Sequence, residues 1–313
     1  MGRPRLGFVG VGWIGAMRME SVAASGAAEV VAVCDPSEER LEAARAAHGV
    51  VAGFPSYDEL LEEASALDLD GVVIATPNAL HAEQTVAALE RGLAVFCQKP
   101  LALDAAEARA MIDTARRADR LLGVDYSYRY TDGARALKEL ADSGAFGRVT
   151  FIETVFHNAY GPGKAWCNDP ELAGGGALID LGVHQIDLAL WILGGRGVNA
   201  VHGSALRRGV PVGRGAIDDF AIAHLELEGG TVVHMAVSWE AHAGRDCLIR
   251  TTIHGTDGGA EFRNVGGSFF DFETERFHGR AAERIATESG TWLGRGILDW
   301  VERLTASRAF DPE

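Results

Sequence analysis

Near its start the chain reads Gly10-Val11-Gly12-Trp13-Ile14-Gly15, directly after an apolar, β-branched run at 6–9 and directly before a stretch able to form a helix. No other feature restricts the fold as much. The first glycine permits a tight turn, the second lets backbone approach a pyrophosphate, and the third allows the helix to pack closely on the strand. The helix N-terminus favours an anion. Gly10, Gly12, Trp13, Ile14 and Gly15 are therefore the candidate phosphate-binding segment. The next β-rich run, 30–34, ends at Asp35, 20 residues after Gly15. A carboxylate there can accept hydrogen bonds from both hydroxyls of an adenosine ribose and repels a 2′-phosphate, so NAD is expected over NADP. Arg40 is able to swing toward such a phosphate, although a solvated helix face explains it equally well. A glycine-rich turn in a fold that binds something else, or nothing, is the competing reading; strand, turn, helix and acid together disfavour it.

The rest of the first half repeats the pattern. Runs at 6–9, 30–34, 71–75, 94–98 and 121–124 read as strands. Ala- and Glu-rich stretches at 38–47, 57–64, 80–91 and 105–118 read as helices, with Gly49 and Gly92 as stops. Alternation of this kind predicts an α/β fold, a doubly wound parallel sheet of the Rossmann type over residues 1–126. Past a helix at 133–143 the texture changes at Gly147. β-rich runs follow at 149–156, 216–227, 231–238 and 248–253, two of them joined by Glu228-Gly229-Gly230 as in a hairpin, and one strong helix spans 177–193. Residues 127–313 are accordingly expected to form an α+β domain on a mostly antiparallel, open sheet. Such a sheet, covered by helices on one face, tends to bury the other in a symmetric homodimer or homotetramer.

Composition removes several function classes. At 313 residues and 47% hydrophobic content the chain can bury more than one core. A formal net charge of −15 argues against a nucleic-acid partner. Cys34, Cys97, Cys167 and Cys247 show no CxxC spacing, so neither a zinc site nor a disulfide framework is suggested and reduced thiols are expected. Residues 1–5 lead straight into a strand without a signal-peptide pattern, and no apolar run approaches the ~20 residues that span a bilayer. No membrane association and a cytoplasmic location are expected.

Beyond the glycine fingerprint, three segments follow in order: Thr76-Pro77-Asn78 with His81, Lys99-Pro100 after the strand at 94–98, and Gly174-Gly175-Gly176 leading to Asp180, Gly182, His184 and Asp187. In these motifs the chain resembles the family of glucose-fructose oxidoreductase, inositol dehydrogenase and MocA, from residue 6 to about 195; the remainder is similar only in texture. The resemblance implies a sheet-based C-terminal domain and a Lys/Asp/His site. It also implies hydride transfer between a nicotinamide and a secondary hydroxyl or carbonyl of a sugar, cyclic polyol or derivative.

The residues themselves agree. Thr76, Asn78 and His81 lie at the carboxyl edge of the sheet, where open α/β folds bind ligands, and are expected to line the cofactor with Gln98 and Lys99. Lys99 can donate hydrogen bonds to the reacting oxygen and the ribose. Asp180, His184 and Asp187 project from roughly one face if the stretch is α-helical. His184 is the expected proton acceptor, Asp180 a substrate-positioning group and Asp187 a supporting one. The triple glycine is expected to leave backbone N–H groups open to a ligand. His and Asp at this spacing can ligate zinc, but a third ligand is lacking and no metal is expected. Trp166 is a candidate aromatic near the nicotinamide. Arg129 and Asn158 are candidate substrate contacts, with an interdomain ion pair the alternative for Arg129.

Two positions depart from the family's pattern. Gln98 stands where relatives usually carry Glu, which predicts that Lys99 has lost a negative neighbour. The chain also stops soon after a helical stretch at 292–305, where similar proteins continue with a helix that packs back on the cofactor domain. The competing functions are a non-enzymatic NAD-binding sensor and, within the same chemistry, a dihydrodiol dehydrogenase or an imine or pyrrole reductase.

Overall fold

The computed structural model describes residues 2–50, 52–290 and 292–312. The chain divides into two compact units, Met1–Asp125 together with Gly294–Glu313, and Tyr126–Leu293.

In the first unit, strands β1 (Arg5–Val9), β2 (Glu29–Cys34), β3 (Ala52–Phe54), β4 (Gly71–Ile74), β5 (Ala94–Cys97) and β6 (Leu122–Val124) form a parallel sheet in the order β3-β2-β1-β4-β5-β6. The helices between them are α1 (Trp13–Ser25), α2 (Glu38–His48), α3 (Tyr57–Glu63), α4 (His81–Glu90) and α5 (Ala105–Ala118). Every residue of β4 and β5 is buried, because alternate side chains enter different cores. Val73 and Phe96 join Leu6, Phe8, Met19 and Val22 in one cluster; Val72, Ile74 and Val95 join Leu60, Leu89 and Met111 in another. The order of strands reverses between β1 and β4, and the carboxyl ends of strands at such a switch point are where ligands bind in folds of this type. Sequence reading missed β3, a three-residue strand with neither alternation nor a β-branched run.

The first unit is completed from the far end of the chain. Residues 294–313, assigned from sequence to the second domain, belong here. Helix α9 (Arg295–Ala306), numbered after three in the second unit, carries Ile297, Trp300, Val301 and Leu304, an i, i+3, i+4, i+7 stripe buried with Leu6 and Phe8. The helical stretch at 292–305, after which a further returning helix was expected, itself packs on the first unit through α9. Trp300 lies 5.6 Å from the Phe96 ring, and a Cβ on Gly123 would come within 2.7 Å of its indole, so the glycine makes room for it.

In the second unit, α6 (Asp132–Asp142), α7 (Pro170–Ala173) and α8 (Val183–Ile192) accompany nine strands. These are β7 (Val149–Asn158), β8 (Val198–Arg207), β9 (Val210–Pro211), β10 (Phe220–Leu227), β11 (Val232–Ser238), β12 (Cys247–Gly255), β13 (Gly259–Asn264), β14 (Phe272–His278) and β15 (Ala281–Glu288). Their order is β15-β14-β13-β12-β7-β11-β10-β8-β9, antiparallel throughout except for β7 beside β11. Period-two alternation puts Ala221, Ala223, Leu225 and Leu227 of β10 into a core shared with Leu137 of α6 and Leu188 and Ile192 of α8. Strands β13 to β15 escaped sequence reading because charge interrupts them. Arg263 pairs with Glu261, Glu273 and Glu275, and Arg284 with Glu273, so the charges satisfy one another across the strands. No helix among the described residues is long and apolar enough to cross a membrane.

Candidate functional site

The glycine turn has the form its spacing predicts. Gly10 adopts φ +81°, and a Cβ there would stand 2.7 Å from the Ala75 carbonyl oxygen. A side chain on Gly15 would overlap the Gly10 carbonyl. Gly12 caps α1 without any side-chain hydrogen bond and with no acid in the first turn, whereas α2, α3 and α5 are capped by Ser37, Ser56 and Asp104. No side chain caps the α1 N-terminus, an arrangement that suits an anion there. Trp13 is exposed and Ile14 half-buried beside this turn.

Asp35 is only 2% exposed. Its carboxylate accepts the N–H groups of Val11 and Ser37, each at 3.0 Å, and Arg40 Nη1 stands 3.5 Å away. It fastens the glycine turn to the end of β2. His81, assigned from sequence to cofactor contact, has another task. It is fully buried, with Nδ1 2.8 Å from the Pro100 carbonyl oxygen and Nε2 3.0 Å from that of Thr76. Both ring nitrogens face backbone carbonyls, one in the Thr76 loop and one in the turn that follows Lys99, and the neutral ring donates to one of them. Burial lowers its pKa, the two backbone carbonyls acting the other way. Thr76 donates its hydroxyl to Gln84 Oε1 at 2.7 Å, and Asn78 is buried at the start of the following short 3₁₀ turn. Lys99 is half-buried just past β5 and precedes a cis peptide to Pro100. Gln98 is buried and donates to the Asp125 carboxylate, which also receives Arg18 Nε. Arg18 and Asp125 escaped notice because a charge inside an apolar stretch carries no local sign of its partner 107 residues away.

In the second unit the stretch expected to be one α-helix is two. Leu178–Gly182 winds as a π-helix, and α8 follows from Val183. Wider winding shifts Asp180 relative to an α-helical projection, and each of the three polar residues meets its own partner. Asp180 Oδ2 accepts the indole N–H of Trp239 at 3.1 Å. His184, 9% exposed, lies edge-on to Tyr128 with ring centroids 5.0 Å apart. Asp187 takes a two-pronged bond from Arg129, with Nε at 2.8 Å. This pair lies inside the second unit, not between domains, and Tyr126 and Trp191 flank the guanidinium at 5.4 and 5.8 Å. Asn158 ends β7, and its carbonyl accepts the Ala241 N–H at 2.7 Å. Trp166 packs on the core in a loop, with the Lys164 ammonium 5.7 Å above its ring.

The triple glycine is not open to a ligand as expected. The buried Asp218 carboxylate accepts the N–H groups of Gly176 and Leu178, each at 2.9 Å, and its carbonyl accepts that of Ala177. A Cβ on Gly176 would overlap the Asp218 backbone, so the glycine is there for this close approach. Asp218 thus builds the platform on which Asp180 and His184 stand. Asp218→Ala is expected to lower stability by about 2 kcal/mol, the cost of two buried donors left without acceptors. Thermal unfolding checks this, with Asp218→Asn retaining part of the loss.

Comparison with known proteins agrees with this geometry. Residues 4–126 match the oxidoreductase family with an NAD-binding Rossmann fold, and residues 134–261 match the GFO/IDH/MocA C-terminal domain. The chain is 30% identical over 239 residues to 1,5-anhydro-D-fructose reductase of Ensifer adhaerens, covering 76% of this chain and 69% of that protein. It is 29% identical over 245 residues to D-glucoside 3-dehydrogenase of Escherichia coli, covering 74% and 69%. Among solved structures, a levoglucosan dehydrogenase in complex with NADH superposes with a TM-score of 0.84 at 22% identity, over 99% of this chain and 91% of that one. Glycine turn, Lys-Pro segment and the helical segment bearing Asp180 and His184 thus coincide with sequence relatedness across both units, and the chain belongs to the GFO/IDH/MocA family of oxidoreductases.

Proposed function

We propose that this oxidoreductase oxidises a secondary hydroxyl of a sugar, cyclic polyol or related ring with NAD, or reduces the matching carbonyl with NADH. The observation that carries the reading is a carboxylate and an imidazole on consecutive helical turns, Asp180 on the π turn held by Trp239 and His184 at the start of α8 seated against Tyr128. A protein that only senses a dinucleotide has no use for a positioned carboxylate and imidazole. The names of the relatives, an anhydrofructose reductase and a glucoside dehydrogenase, support a carbohydrate-type substrate.

The nicotinamide cofactor supplies the hydride acceptor or donor. Gly10, Gly12, Trp13, Ile14 and Gly15 fit its pyrophosphate, since the α1 N-terminus is uncapped. Asp35 fits the adenosine ribose, and Thr76, Asn78, Gln98 and Trp166 complete its surroundings. In the chain's own chemistry, His184 accepts the proton of the substrate hydroxyl, because imidazole changes charge near neutral pH. Asp180, its carboxylate turned by Trp239, binds and aligns that hydroxyl. Lys99 donates to the reacting oxygen and stabilises negative charge as it develops. Asn158 and Arg129 border the substrate, Arg129 acting mainly through the alignment of Asp187 and its flanking rings.

The test is absorbance at 340 nm across cyclic polyols, aldoses and sugar acids, with NAD and with NADP. Turnover of one substrate class supports the reading; cofactor binding without turnover across the panel favours the sensor. NAD preference rests on Asp35. Asp35→Ser is expected to raise the affinity for NADPH relative to NADH by about tenfold, roughly 1.4 kcal/mol. Fluorescence titration reads this directly, and parent protein that binds NADPH as tightly as NADH would remove the preference. A symmetric dimer or tetramer completes the proposal, and light scattering that gives a monomer at micromolar concentration removes that part.

A further inference from the structure

The torsion that turns an imidazole about its Cβ–Cγ bond is broad, so helix α8 fixes where His184 stands but not how its ring is turned. Asp180 takes its orientation from the Trp239 indole; His184 meets Tyr128, whose ring lies 5.0 Å away at 79°. Tyr128 is itself held by three more rings. Its centroid is 6.1 Å from that of Phe156 at 88°, 5.9 Å from Phe272 at 90° and 5.0 Å from Trp292 at 37°. The Tyr128 carbonyl accepts the Thr131 hydroxyl at 2.9 Å, which fastens the short 3₁₀ turn on which the ring is carried.

The three rings come from distant parts of the second unit: Phe156 from β7, Phe272 from the start of β14 and Trp292 from the unit's last residues. Phe272 and Trp292 are each 1% exposed, so neither can yield without opening a cavity. Phe272 stacks in turn on Phe262 with centroids 4.6 Å apart, and the Trp292 indole N–H donates to the Phe270 carbonyl at 2.9 Å. Close packing of this kind leaves Tyr128 one position. Burial first, then the nearby Cys247 and Asp180, push its phenol far above the ordinary range. It stays protonated and acts on His184 by shape rather than by charge.

We infer that Tyr128 is a positioning residue for proton transfer: clamped by Phe156, Phe272 and Trp292, it sets the angle of the His184 ring. The aim of the imidazole then depends on rings from three segments that belong to none of the motifs marking the site. The inference rests on the reading that His184 accepts the substrate proton.

The experiment measures the NMR order parameter of the His184 Cδ2–H bond in protein carrying ¹³C at histidine Cδ2, without substrate or cofactor. The chain has ten histidines, and the signal lost in His184→Gln identifies the relevant one. In the parent the ring should be rigid, at about 0.85, and in Tyr128→Leu it should fall below about 0.6. Tyr128→Phe keeps the ring and should keep the parent's value, while Trp292→Phe, which loosens the clamp, should fall between the two. With substrate, Tyr128→Leu should lower kcat about 10- to 100-fold with KM moved far less, the cost of misaiming a reacting group, and Tyr128→Phe should recover most of that loss. A His184 ring as rigid in Tyr128→Leu as in the parent, or as loose in Tyr128→Phe as in Tyr128→Leu, overturns the inference, and so does a loss carried by KM alone. If Tyr128→Leu does not fold, Trp292→Phe decides: a loosened His184 ring supports the clamp and an unchanged one overturns it. Because the order parameter needs no substrate, an inactive parent with the expected values refutes the proposed reaction and leaves the clamp standing.

Discussion

Lys99→Ala is expected to lower kcat by about 10²- to 10⁴-fold, the range over which positioned proton donors and acceptors contribute. The fold should survive. Lys99 is half-buried at a strand end, and its chain neighbours are held in place by His81 with Pro100 and Gln98 with Asp125. NADH affinity should change far less than kcat, because the glycine turn and Asp35 do not depend on Lys99. Single-turnover kinetics monitored at 340 nm separate the two. A fall in kcat/KM carried wholly by KM would mean that Lys99 only binds, since an interaction made in the transition state alone lowers kcat and kcat/KM together. Lys99→Arg keeps the charge but not the compact ammonium, and should recover little.

Trp300→Ala should be the most destabilising single change outside the site, at about 3–5 kcal/mol for removal of a large buried aromatic. Trp300 is 3% exposed and packs on Phe96, in the same cluster as Leu6 and Phe8 beneath the glycine turn. Two results distinguish a packing role from a general loss of fold. Gly123→Ala in the parent should also destabilise, because its new methyl would stand 2.7 Å from the indole. In the Trp300→Ala background the same change should cost less, with only the Phe96 ring left close at 3.0 Å, and the two effects should fail to add, as expected for residues in contact. Equal cost of Gly123→Ala in both backgrounds would overturn this account.

What was legible in the chain was whatever local periodicity or a short motif encodes. The glycine turn, Asp35, the Lys-Pro pair and the order of the first unit's main strands are all written within a few tens of residues. The rest depends on distant pairing. Trp239 meets Asp180 from 59 residues away and Asp218 reaches Gly176 from 42, with nothing in either neighbourhood to announce the partner. The π winding before Val183 was illegible for a different reason: it changes the helical projection without altering the sequence spacing, from which 3.6 residues per turn is expected. Strands β13 to β15 were illegible because their charges answer one another across the sheet, which no single strand shows.

The return of α9 to the first unit also sets an order of events during synthesis. The strand carrying the glycine turn leaves the ribosome early, but the helix that closes its core emerges only after the whole of Tyr126–Leu293 has been made. Until then the surface around Phe8 and Phe96 that Trp300 will cover stays open to water and to other chains. The second unit, continuous in the chain, can complete its core first. Of the two units, the one that begins earlier in the chain is therefore the later to complete its core.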